Sequence, residues 1–146
     1  NQDYQLQAVD SVVRLFEGMT RYEIGFDLTG ELVPNVPDGA FLDETTLFEN
    51  LCAVQKRNGV PEMPTLAMDE GLMLDGLGAD SVRAPHFTIE METGTGKTYV
   101  YLRTVNELCQ RYGFTKFLVV VPSVAIYEGV AKTFEITKSH FRALYG

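Results

Sequence analysis

The chain has 146 residues, 45% hydrophobic and 22% charged, with a net charge of −8 and two cysteines. That is one domain's worth of chain with enough apolar residues for a core, and it excludes a disulfide framework, a membrane span and a uniformly basic DNA-coating protein. The balance is uneven: residues 1–96 carry 17 Asp and Glu against 5 Lys and Arg, or −12, whereas residues 97–146 carry 3 against 7, or +4.

Taken in order, residues 3–17 repeat Leu6, Val9, Val12, Val13 and Phe16 at helical spacing, with Gly18 as the stop. Over residues 22–33 the alternation around Thr29-Gly30 predicts a β-hairpin, after which Pro34, Pro37 and Gly39 break regular structure. A helix is expected over 43–58, opened by Asp43, striped by Leu47, Leu51 and Val54, and closed by Lys56, Arg57 and Gly59. The Pro- and Gly-rich stretch 59–85 reads as mostly loop, with one short helix at 66–73.

The chain then changes character. His86-Phe87-Thr88-Ile89-Glu90-Met91 is a short β-prone run, followed by Glu92-Thr93-Gly94-Thr95-Gly96-Lys97-Thr98. Two glycines let backbone N–H groups approach an anion, Lys97 puts a cation at a helix start, and Thr98 places a hydroxyl suited to Mg²⁺. Such a spacing points to a loop for a nucleoside triphosphate. Tyr101, Val105, Leu108 and Tyr112 form the stripe of the next helix, with Leu102 and Cys109 beside them and Gly113 as its stop. Phe117-Leu118-Val119-Val120-Val121 reads as a strand buried on both faces and ended by Pro122. Ser123 is placed to cap a further helix through about residue 138, with Ile126, Tyr127, Val130, Ala131 and Phe134 inward. Strand, glycine loop, helix, strand, helix is the start of a parallel α/β sheet.

Other candidates are weaker. Cys52 and Cys109 are isolated, which suits a reducing cytosol and, for Cys109, a buried helix face. His86 and His140 have no second ligand at metal spacing, so surface or core roles are expected of them. A triphosphatase needs an acidic pair ending a strand beyond the glycine loop. Asp69-Glu70 precedes the loop and reads as coincidence; no such pair follows Thr98.

Three segments together resemble a known family. Ile89-Glu90-Met91-Glu92-Thr93-Gly94-Thr95-Gly96-Lys97-Thr98-Tyr99-Val100-Tyr101 is similar to motif I of superfamily 2 helicase-type motors, in particular the Res subunit of type III restriction–modification enzymes. Val119-Val120-Val121-Pro122-Ser123-Val124-Ala125-Ile126-Tyr127-Glu128-Gly129-Val130 resembles motif Ia, and Tyr4-Gln5-Leu6-Gln7-Ala8-Val9-Asp10 the upstream Q-motif region. Met91 departs from the general loop pattern, which asks for glycine there. The resemblance implies an α/β, RecA-like P-loop domain cut short before motif II. It divides the chain into a Q-motif helix (1–18), an insertion (19–85) and the start of the RecA-like domain (86–146).

It also implies roles. Gln5, or alternatively Gln7, would read adenine; Thr93, Gly94, Thr95, Gly96, Lys97 and Thr98 would wrap the phosphates of ATP. Lys97 would be the catalytic contact to the β- and γ-phosphates, and Thr98 would hold Mg²⁺. Pro122 and Ser123 would present a helix start to a DNA phosphate, the plainer role of Ser123 being a helix cap. The full enzyme would couple ATP hydrolysis to movement or communication along DNA and to cleavage, in the cytoplasm, with a modification (Mod) subunit reading the DNA sequence. This piece, lacking motif II and the second domain, is expected to bind nucleotide without turnover. Two alternatives stand beside it: the motor of another superfamily 2 helicase or type I restriction enzyme, and a non-catalytic nucleotide-binding or interaction domain.

Overall fold

A computed structural model of the chain describes residues 2–22, 35–36, 39–70 and 83–146. Four helices, α1 (Asp3–Arg14), α2 (Glu44–Asn58), α3 (Lys97–Tyr112) and α4 (Val124–Tyr145), accompany two short strands, β1 (Met68–Glu70) and β2 (Arg83–Pro85). The chain packs as two compact units, Asn1–Leu42 with Met91–Gly146, and Asp43–Glu90.

In the first unit, α1 buries Val9 and Val13, one helical turn apart, against Val100 and Leu108 of α3, with Met19 and Phe114 completing the cluster. The helix ends earlier than its apolar stripe: Leu15, Phe16 and Glu17 donate to carbonyls three residues back, the tighter bonding common at helix ends. Phe16 continues the stripe from the turn and packs edge-on against Phe114 at 5.4 Å and against Phe41 at 6.0 Å. Tyr112 Oη donates to the Val13 carbonyl at 3.0 Å, tying the end of α3 to α1.

The buried face of α3 is Val100, Thr104 and Leu108. The expected stripe shares Leu108 but leaves Tyr101, Val105 and Tyr112 half-buried, and Cys109 is exposed rather than buried. At 100° per residue, a face centred one position earlier turns Cys109 outward. Gly113 closes α3 at φ +80°, and an added Cβ there would fall on the Tyr22 carbonyl oxygen.

Residues 86–91 and 117–121 are both expected as strands, yet among the described residues neither run forms one. Leu118 and Val120 are 90% and 83% exposed. An apolar run becomes a strand only when neighbours take its backbone groups, and a parallel partner is always remote in sequence. The sheet that is present is instead antiparallel, β1 on β2, pairing Met68 with Pro85, and His86 N–H extends it to the Ala67 carbonyl at 2.9 Å. It replaces part of the loop and short helix expected over 66–73, because the ladder partner lies beyond the reach of local periodicity. The hairpin expected over 22–33 lies, apart from Tyr22, outside the described residues.

In the second unit, α2 matches its sequence signals. Asp43 Oδ1 accepts from Thr46 N–H at 2.9 Å, Leu47 and Val54 are buried, and Gly59 ends the helix in the left-handed region. In the first unit, α4 runs to Tyr145, past the expected end near 138, because its C-terminal half has a partner: Phe141 is buried and stacks on Tyr99 of α3 at 5.4 Å. Of the residues expected inward near its start, Ile126, Tyr127, Ala131 and Phe134 are exposed and Val130 is half-buried. No helix among the described residues is long and apolar enough to cross a membrane.

Candidate functional site

The glycine loop forms a turn over 93–95 that feeds directly into α3. Gly94 and Gly96 have φ of +81° and +87°, a region that side chains with a Cβ rarely adopt. Thr95 Oγ1 donates to the Glu92 carbonyl at 2.6 Å and closes the turn from within. The first helical bond runs from Val100 N–H to the Gly96 carbonyl at 3.1 Å. The N–H groups of Lys97, Thr98 and Tyr99 therefore lie in the first turn, which has no acceptor within the helix and carries the positive end of its dipole. Lys97 is exposed and Thr98 half-buried at this end. Among the described residues nothing lies within 4 Å of the point where a Cβ on Gly94 would project.

The chain's N-terminal helix reaches this turn. Gln5 Nε2 donates to the Thr95 carbonyl at 2.9 Å, and Tyr4 Oη donates to the same oxygen at 3.3 Å. Gln5 Oε1 meanwhile accepts from Gln2 N–H at 3.3 Å, inside the first turn of α1. A Cβ on Gly96 would come within 2.6 Å of Gln5 Nε2, so the glycine also makes room for the glutamine. In a planar trans peptide the carbonyl and the following N–H point in opposite directions. Holding the Thr95 carbonyl against α1 turns the Gly96 N–H away from it. The amide of Gln5 keeps one further N–H and one further lone pair, a donor–acceptor pair of the kind a purine edge requires. Gln7, the other candidate, is exposed, and its carbonyl accepts from Ser11 Oγ at 2.7 Å.

The structure thus brings Gln5, Thr95 and Gly96 together, with Gly94, Lys97 and Thr98 on the same turn. Thr93 is exposed at the start of that turn. Pro122 and Ser123 are exposed, and Ser123 Oγ accepts from Ile126 N–H at 3.3 Å as the cap of α4. Its own hydroxyl proton is not used in that bond.

Two contributions were not foreseen from sequence. Tyr4 adds the second donor to Thr95, and only the tyrosine beside Gln5 in the Tyr-Gln pair hinted at it. Tyr99, directly after Thr98, links the site to α4: Arg103 Nη1 donates to Tyr99 Oη at 3.1 Å, and that oxygen shares a 3.1 Å hydrogen bond with His140 Nε2. Farther along the same interface Tyr145 Oη donates to Glu107 Oε1 at 2.7 Å, and burial together with that carboxylate pushes the phenol up to about 12.

A glycine turn on a helix N-terminus, with a lysine and a threonine opening the helix, defines a class of site able to take an anion through backbone N–H groups. The particular family is then given by comparison. The chain belongs to the type III restriction enzyme, res subunit, family, whose model matches residues 1–143. It is 29% identical over 147 aligned positions, 99% of this chain, to the type III restriction-modification enzyme EcoPI Res subunit of Escherichia phage P1. The same identity and coverage hold for the EcoP15I Res subunit of Escherichia coli. A 59-residue stretch is 51% identical to the StyLTI Res subunit of Salmonella typhimurium, covering 39% of this chain and 6% of that protein. The chain spans 14% of the length of the EcoPI and EcoP15I relatives. No solved structure matches it.

Proposed function

We propose that this chain is the nucleotide-binding part of the motor of a type III restriction enzyme, the beginning of a RecA-like domain of the superfamily 2 type. One observation carries the reading: in a chain of the Res family, two left-handed glycines set the N-terminus of α3 and are held there by Gln5 from the Q-motif helix. The residues present fit ATP with Mg²⁺. N–H groups over 93–98 would cradle the phosphates, Lys97 would contact the β- and γ-phosphates, and Thr98 would hold the metal. Magnesium bound there would neutralise charge on the phosphate oxygens. Gln5, with its remaining donor and acceptor, would read the adenine edge. Pro122 and Ser123 would set the start of α4 against a DNA phosphate. Hydrolysis, movement along DNA, cleavage and association with a modification subunit would belong to the complete, cytoplasmic enzyme.

Lys97 tests the reading. Titrating a fluorescent ATP analogue with Mg²⁺ into the chain should give weak saturable binding, and Lys97→Ala should weaken it by about tenfold or more while leaving the helical circular dichroism unchanged. Phosphate release from ATP in the presence of DNA should stay at background for the chain alone. Equal affinity in the wild type and Lys97→Ala would remove the triphosphate from this turn.

A further inference from the structure

Asn35 falls in the stretch for which the sequence suggested no role, and its side chain holds backbone eighty residues away. Oδ1 accepts from Thr115 N–H at 2.7 Å and from Lys116 N–H at 2.9 Å, while Nδ2 donates to the Lys116 carbonyl at 2.8 Å. The three partners determine which way the amide faces, since two donors need its oxygen and one acceptor needs its nitrogen. Val36, next in sequence, packs against the core cluster of α1 and α3. Tyr22 N–H donates to the Tyr112 carbonyl at 3.3 Å, and the Tyr22 carbonyl occupies the space that only a glycine at 113 leaves. Two points of the middle segment thus grip the same few residues, 112–116, where the chain leaves α3.

Beyond that grip the apolar run is largely exposed. Phe117 still meets Phe114 edge-on at 6.4 Å, but Leu118 and Val120 face solvent, and Ser123 then caps α4. Fastening the peptide groups of Thr115 and Lys116 fixes the direction in which the run leaves α3, and no ladder among the described residues redirects it before α4. We propose that Asn35 is a positioning residue for Pro122 and Ser123: by clamping the peptide groups of Thr115 and Lys116 it aims the run that carries the start of α4. The role rests on the reading of that helix start as a DNA-phosphate contact.

The test uses the full chain, a labelled duplex DNA oligonucleotide and a non-hydrolysable ATP analogue. Asn35→Ala should raise the dissociation constant for DNA about fivefold and leave nucleotide affinity unchanged. Amides 115 and 116 should exchange about tenfold faster with deuterium in the same variant. Asn35→Asp keeps the acceptor for both N–H groups and loses only the donor, so it should recover most of the protection and lie between the two in DNA affinity. If Asn35→Ala unfolds, as circular dichroism would reveal, Asn35→Asp carries the comparison. Faster exchange at 115 and 116 with wild-type DNA affinity would overturn the positioning role, as would an equal loss of DNA and nucleotide binding in Asn35→Asp. A wild-type chain that binds nucleotide but not DNA would instead remove the DNA reading of Ser123, and the role of Asn35 with it; the nucleotide arm tells the two failures apart.

Discussion

The glycine turn at 93–96 and the apolar run at 117–121 are the two segments of the first unit with the clearest sequence signals, and they end in opposite conditions. The turn is held twice over: by its own backbone, with Thr95 bonded to Glu92, and by α1, with Gln5 and Tyr4 on the Thr95 carbonyl. The run is held at its entry by Asn35 and Phe114, then exposes Leu118 and Val120. The contrast teaches what each kind of signal requires. A turn made by positive-φ glycines is specified by local sterics and needs only a light external lock. A run of five apolar residues specifies burial, which other segments must supply.

The largest test of this contrast lies at Gly113, where α3 ends between the two segments. Gly113→Val places a side chain on the Tyr22 carbonyl at φ +80°. It should cost about 4 kcal/mol or more and abolish the cooperative urea transition of the unit. Next in size, Val13→Ala empties a site that is 1% exposed and should cost about 2 kcal/mol by the same measurement. A loss as small as that of a surface substitution would mean that α1 is not the support the turn depends on.

A pH titration addresses the helix pair that follows the run. Tyr145 holds its proton to about 12 rather than the usual 10.0, chiefly through burial and then through Glu107. Because the folded group is the weaker acid, the packing of α4 on α3 is fully stabilised below about pH 10 and weakens as pH rises from there towards 12. Near-ultraviolet circular dichroism between pH 9 and 12 should follow that loss, and Tyr145→Phe should flatten it. The smallest effect belongs to the run itself: Leu118→Ser, at a side chain 90% exposed, should change stability by less than about 0.5 kcal/mol. A cost of about 2 kcal/mol would show Leu118 to be covered in solution and would erase the contrast.

Much of the local structure was legible. Helix α2 carried its cap, stripe and stop in plain sequence, because each signal acts within a few residues. The positive-φ glycines and the helix opening at Lys97 followed for the same reason. Cys109 was misplaced because a helical stripe shifted by one residue turns each side chain through 100°. β1 and β2 were missed because a three-residue ladder has no period to detect. For α4, apolar residues near its start gave the wrong inward face, since Phe141 and Tyr145 near its end are the ones that meet α3.

What the chain determines by itself is the set of short-range structures: caps, stops, the glycine turn and the helix that opens from it. These depend on forbidden dihedrals and on backbone groups a few residues apart. Only the tertiary structure decided that Gln5 and Tyr4 would fasten the Thr95 carbonyl and that Asn35 would hold residues 115 and 116. Those bonds join positions eighty or more residues apart, and no local preference encodes such a meeting; it arises when Val9 and Val13 of α1 bury themselves against Val100 and Leu108 of α3.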